Sequence, residues 1–282
     1  MRGIRPLSFF VVWMRISPRT GASLLLVTLT ASPVVGQGAD APGRIRGHVR
    51  LEAGTFVNPP IRMGVDPACG MAAGAVRRQE FVLRAADGGL ANVFVRLVGD
   101  YPRGAVPAMP VVLEQRGCVY APHVLGIMAG QRLRVVNADP TAHNVHSLSA
   151  VGNGFNFSQP RAGEAVEVTL PDEELMLRVT CDVHAWMNIF VGVVAHPYFT
   201  VSSQDGGFEL AGVPAGTHRL DIWHERFGPL TAEVVVRPGE TATADFHYRG
   251  DERPAAPAQV FDFRAGNVEA QQGTVIGSGF QP

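Results

Sequence analysis

The stretch Leu175-Met176-Leu177-Arg178-Val179-Thr180-Cys181-Asp182-Val183-His184-Ala185-Trp186-Met187 carries two patterns back to back. Its first half repeats apolar residues with period two, so Leu175, Leu177, Val179 and Cys181 fall on one face of a β-strand. That face is the core face, and it delivers the Cys181 thiol to the core edge at the strand's end. The second half spaces a thiol, an imidazole and a thioether as Cys-x2-His-x2-Met. Soft sulfur donors beside imidazole suit copper, and two His with one Cys and a weak axial Met form an electron-transfer copper set. Zinc is the competing metal, and a thioether is a poor ligand for it.

Such a set needs a second histidine from elsewhere. Upstream, Val136-Asn137-Ala138-Asp139-Pro140-Thr141-Ala142-His143-Asn144-Val145 reads as a strand end, a turn at Asp139-Pro140 and a new strand opening on His143. His143 precedes Cys181 by 38 residues, enough for two or three strands to return one beside the other. Further strands are expected near 111–114, 123–128, 131–137, 143–149, 164–170, 174–181 and 189–195. Val166, Val168 and Leu170 again share one face. Short strands punctuated by turns, with 32 Gly and 21 Pro in 282 residues, predict an all-β sandwich.

Together these residues resemble the cupredoxins, the small copper β-sandwiches that include plastocyanin, pseudoazurin and amicyanin. The resemblance covers roughly residues 111–195, and the short ligand loop is most similar to that of amicyanin, with Trp186 just before the Met. It implies His143, Cys181 and His184 as in-plane ligands of one copper ion and Met187 as the axial one. It also implies a hydrogen bond from the Asn144 N–H to the Cys181 sulfur. Val183 and Ala185 stand where the amicyanin loop has prolines, so Val183 keeps a backbone N–H. Asp182 puts an acid beside the thiolate, which favours Cu(II) where it is close and ionised. His184, on the loop, is the expected electron exit toward a redox partner in the cell envelope. Trp186 serves either a docking surface or the core.

Of the three cysteines, a copper role for Cys181 leaves Cys69 and Cys118 to pair as a disulfide. His146, three residues after His143, is expected at the surface or between strands. His123 is expected to be structural. Both are candidates for an additional metal contact, and a third imidazole at the copper would open the way to oxidase or reductase chemistry. In Trp223-His224-Glu225 a hydrogen bond at a domain interface is the expectation, because no nucleophile or paired carboxylate accompanies it.

The rest of the chain organises around this core. Residues 1–36 read as an export signal: Arg2, Arg5, Arg15 and Arg19 precede an apolar run, Ala22 to Thr30, and Met14 is an alternative start. The run is too short for a membrane span, and no other segment could form one. Without residues 1–36 the chain keeps 20 basic residues, all Arg, against 25 acids, a formal charge of −5. The arginines are scattered, so nucleic acid is not an expected partner. A linker at 37–43 leads into a β segment, 44–110, that includes an irregular insertion from Gly54 to Gln79 carrying Cys69. The copper domain spans 111–197.

Residues 198–249 form a small β unit in which Asp205-Gly206-Gly207-Phe208-Glu209-Leu210 and Gly212-Val213-Pro214-Ala215-Gly216 resemble a carboxypeptidase regulatory-like domain, a transthyretin-like sandwich. Its usual first strands are missing, and Arg44 to Leu51 and Gly88 to Leu97 are similar to them, so the copper domain is a candidate insertion. The combined layout resembles exported proteins called methylamine-utilisation-like. Residues 250–282 read as a loosely ordered tail. Two functional classes follow: a non-enzymatic blue-copper electron carrier, or a non-redox module binding carbohydrate or an envelope protein around a structural or storage copper.

Overall fold

A computed structural model describes residues 41–252, apart from 53, 55 and 73–76. The expected signal segment with its start at Met14, and the tail beyond residue 252, lie outside the described residues. Seventeen strands run in order: β1 (Gly43–Leu51), β2 (Phe94–Val98), β3 (Val111–Gln115), β4 (Tyr120–Ala121), β5 (Val124–Met128), β6 (Arg132–Asn137), β7 (His143–Ser147), β8 (Asn156–Gln159), β9 (Ala165–Thr169), β10 (Glu174–Thr180), β11 (Asn188–Val194), β12 (Phe199–Val201), β13 (Gly207–Val213), β14 (Gly216–His224), β15 (Gly228–Val236), β16 (Thr241–Thr243) and β17 (Phe246–Tyr248). A 3-10 turn, Met63–Val65, and one short helix, α1 (Pro67–Ala72), interrupt the otherwise irregular 54–79 insertion.

Two sheets enclose the ligand-bearing strands. One has the order β5-β11-β10-β7-β8 and the other β4-β3-β6-β9. Their facing residues, among them Leu113, Leu133, Val135, Val145, Leu177, Val179, Ile189 and Val191, form one continuous apolar core. Burying side chains of this size stabilises by about 1.5–3 kcal/mol each, which fixes register, because a one-residue slip would turn every core residue outward. The expected alternation holds from Leu177 through Val179 to Cys181 but fails at Leu175, which is 49% exposed. The pairing of β10 with β11 shifts register between Glu174 and Leu177, and Met176 has φ 55°. This bulge rotates Leu175 off the core face.

Two further sheets have the orders β13-β1-β16, with β17 also on β1, and β12-β2-β14-β15. Strands β1 and β2 therefore pair with strands that follow residue 198. β1 lies antiparallel to β13, with Ile45 opposite Leu210, and β2 lies antiparallel to β14, with Val95 opposite Ile222. A second apolar core, including Ile45, Val49, Leu97, Leu220 and Tyr248, fills the space between these sheets. The two cores meet where Phe94 and Phe199 lie against the glycine pair Gly126 and Gly192 of β5 and β11. A Cβ at Gly192 would collide with the Phe94 ring, so the close approach requires glycine.

The hairpin at the end of β14 buries a histidine. His224 is 1% exposed, its ring stacks on Phe227 at 4.8 Å, and its Nδ1 accepts the Arg226 N–H at 3.1 Å. Burial, with the charges of His123 and Arg226, lowers its pKa to about 3. The unfolded chain takes up this proton near pH 6.5 and the folded chain only near 3. Stability contributed by neutral His224 is therefore complete above pH 6.5 and lost as pH falls toward 3, by at most about 1.4 kcal/mol per pH unit. Urea titrations between pH 6.5 and 4.5 should show a shallower loss of stability in His224→Phe than in the wild type. Parallel pH profiles would contradict this assignment.

Candidate metal centre

The strands bring His143, at the start of β7, beside the 181–187 loop at the end of β10. One donor atom each from His143, Cys181 and His184 lies within 4.8 Å of the other two, and all three residues are buried. The Nδ1 atoms of His143 and His184 are 3.0 Å apart, and Cys181 Sγ is 3.8 Å from His184 Nδ1. The loop closes on itself through two backbone bonds, Met187 N–H to His184 O at 2.8 Å and Cys181 N–H to Met187 O at 3.1 Å. Met187 is 1% exposed and joins the core cluster that contains Cys181.

Both imidazoles are held from behind by carboxylates. His143 Nε2 is 2.9 Å from Asp139 Oδ2, and His184 Nε2 is 3.1 Å from Asp66 Oδ2. An ionised carboxylate only accepts, so each Nε2 carries the hydrogen and each neutral ring presents its lone pair at Nδ1. Two lone pairs facing each other at 3.0 Å beside a sulfur repel unless a proton or a metal cation lies between them. In the metal-free chain that role falls to a proton on His143. Burial disfavours the charge, but hydrogen bonds to Asp139 and Cys181 outweigh burial and lift the His143 pKa to about 9. Burial likewise opposes the Cys181 thiolate. Contacts with His143 and the Asn144 and His184 N–H groups overcome it and bring the thiol down to about 7. Hydrogen bonds also outweigh burial at Asp66 and Asp139, so both carboxyls sit below their ordinary range.

The sulfur accepts from the backbone N–H groups of Asn144 and His184, each at 3.4 Å. Tyr120 rivets the two ligand-bearing strands, its hydroxyl donating to Asn144 O at 2.7 Å and Thr180 O at 3.2 Å. The cysteines divide as expected: Cys69 and Cys118 form a disulfide and Cys181 is free and buried. A 49-residue closed loop of this kind stabilises by about 4 kcal/mol on chain-entropy grounds.

Other expected residues sit differently. His184 does not reach the surface: it is 1% exposed, lying under Asp66 and 3.5 Å from Cys69 Sγ. The insertion and its disulfide cover the imidazole edge that was expected as an electron exit. Trp186 is neither an open docking surface nor plain core. It is half-buried, its Nε1 donates to Cys118 O at 2.8 Å, and its ring lies 5.0 Å from that of His184. Val183 is 61% exposed. The Asp182 carboxylate turns to His146 at 3.0 Å, in an exposed pair on the outer face. His123 binds Glu225 at 2.7 Å, both side chains nearly buried. Neither His123 nor His146 belongs to the ligand cluster, so no third imidazole meets the metal position among the described residues.

Asp66, Thr141 and Tyr120 are not among the site residues the sequence points to, and Asp139 enters there as a turn residue of the cupredoxin-like motif, not as a partner of His143. The local signals are slight: an acid four residues before His143, and an Asp one residue before the Pro that opens α1.

No protein-family model and no curated protein matches the chain. Solved structures similar to part of it include a purple cupredoxin from Nitrosopumilus maritimus, at 22% identity over 29% of this chain and 98% of that one, with a TM-score of 0.27. A copper-containing nitrite reductase from Thermus scotoductus aligns at 22% identity over 35% of this chain and 25% of that one, also at 0.27. An amicyanin variant in its Cu(I) form aligns at 17% identity over 35% of this chain and 97% of that one, again at 0.27.

Asp139 is buried and accepts the N–H groups of Gly117 and Cys118 as well as His143 Nε2. Asp139→Ala strands those donors, and the metal-free protein should lose about 2–4 kcal/mol of stability in urea denaturation. A loss under about 0.5 kcal/mol would show that the carboxylate does not organise this turn.

Proposed function

We propose that the chain is an exported mononuclear copper protein of the blue type, exchanging single electrons with a redox partner in the envelope. The observation that carries this reading is the convergence of two imidazole Nδ1 lone pairs and one thiol on a single point, with both Nε2 atoms already committed to carboxylates. The donor set fits copper: His143, Cys181 and His184 would hold the ion with a soft thiolate and two imidazoles, and the buried thioether of Met187 on the same loop would be a further donor. Bound copper would supply a one-electron Cu(II)/Cu(I) couple. The protein's part is to keep His143, Cys181 and His184 in place whether or not the ion is charged to the higher state. The buried hydrogen bonds to Asp139, Asp66, Asn144 and Tyr120 support that rigidity.

His123 and His146 are engaged with Glu225 and Asp182, so the reading favours a carrier over an oxidase or reductase. The strand pairings of β1 and β2 support a layout in which residues 111–197 are inserted into a carboxypeptidase regulatory-like sandwich made of β1, β2 and β12–β17. The disulfide is at home in an oxidising compartment outside the cytoplasm, and no described helix is long and apolar enough to cross a membrane. The covered His184 edge favours a second reading, in which copper is structural or stored and the attached sandwich binds carbohydrate or an envelope protein.

The purified chain loaded with Cu(II) should show an intense visible thiolate-to-copper absorption that vanishes in Cys181→Ser. Copper bound without that band, or held only as Cu(I), would turn the assignment to storage.

A further inference from the structure

The two carboxylates behind the imidazoles are linked to each other through the disulfide. Asp66 Oδ1 accepts the N–H of Cys69 at 3.3 Å and of Ala68 at 2.8 Å, which leaves Oδ2 for His184 Nε2 and for the Thr141 hydroxyl at 3.0 Å. Asp139 Oδ2 accepts the N–H of Cys118 at 2.8 Å and faces His143 Nε2. Each half of the disulfide thus donates its backbone N–H to the carboxylate that grips one of the two histidines. The disulfide is wholly buried, with Cys69 at 0% and Cys118 at 1% exposure. Asp66 lies 118 residues from His184 in sequence, in an insertion otherwise poor in regular structure, and the cross-link at Cys69 ties that segment down three residues away.

Resting on the copper reading above, we infer that Asp66 and Asp139 are positioning residues that make both imidazoles stronger donors, and that the Cys69–Cys118 disulfide holds them to that task. A carboxylate on the far nitrogen fixes the tautomer and the ring plane, and it pushes electron density toward the metal-facing nitrogen. Two such anions favour the more highly charged ion, so they hold Cu(II) over Cu(I) and keep the reduction potential low. They also close the His184 edge against water and exogenous ligands.

The experiment measures the reduction potential and both copper affinities of the full chain in Asp66→Asn, Asp139→Asn and the double variant Cys69→Ala/Cys118→Ala. Outer partners of metal ligands typically control affinity about 10- to 100-fold. Asp66→Asn should weaken Cu(II) binding about ten-fold more than Cu(I) binding, an upward shift of about 59 mV for a one-electron couple. The disulfide variant should move in the same direction, with its thiolate absorption retained. Asp66 is at the rim of the site, so its variant keeps the test open should Asp139→Asn fail to fold. An intact absorption band with an unchanged potential in Asp66→Asn would overturn the inference while leaving the copper reading standing. Absence of that band from the copper-loaded wild type would instead remove the blue-copper reading on which the inference rests.

Discussion

One buried carboxylate, Asp139, joins the parts on which the site depends. It takes the backbone N–H groups of Gly117 and Cys118 on one side and His143 Nε2 on the other, and its own N–H is held by the Asn137 side chain at 2.9 Å. The end of β6, the disulfide and the first residue of β7 are thereby set relative to one another. A buried anion tolerates this position only because every lone pair it exposes inward finds a donor. With His143 fixed, the antiparallel pairing of β7 with β10, Thr180 opposite His146, brings the Cys181 end of β10 alongside the His143 end of β7.

The sheet explains why the site is rigid, and the insertion explains why it is closed. Cys181 stands at the end of a strand whose neighbours Leu177 and Val179 are locked in the core. The 181–187 loop is closed by the backbone bonds Cys181 N–H to Met187 O and Met187 N–H to His184 O. Residues 61–72 then lie over the loop, with Asp66 on His184 and Cys69 bonded to Cys118. The insertion thus withholds the His184 imidazole edge from direct contact with the surface. The exposed Asp182–His146 pair lies on the outer face, adjacent in sequence to the thiolate.

Much of this was legible in the sequence because it rests on local periodicity and spacing. Alternation located the strands of the ligand-bearing sheets within one or two residues for most of their length, and the Cys-x2-His-x2-Met loop and His143 were visible as a constellation. Cysteine accounting separated Cys181 from the Cys69–Cys118 pair. What escaped was whatever depends on long-range contact between chemically ordinary segments. Asp66 sits in a Gly-, Pro- and Ala-rich stretch with no pattern of its own, and only the fold takes it to His184. A hydrogen bond near Glu225 is an expectation of the sequence, but its partner, His123, lies 102 residues away and only the fold supplies it. Leu175 obeys the alternation in sequence and leaves the core because a bulge at Met176 changes the count. The polar strand β8 has little apolar alternation to announce it, and only its pairing with β7 defines it.

On the proposed reading, His143, Cys181 and His184 would surround one copper ion in a pocket formed before the ion binds. X-ray absorption at the copper edge of the fully loaded protein, with copper per chain counted on the same sample, addresses it most directly. The expected result is one copper per chain, bound by two imidazole nitrogens and one short sulfur bond, with little change in those distances between Cu(II) and Cu(I). A first shell of oxygen and nitrogen alone, or a stoichiometry that changes without a sulfur signal, would contradict it.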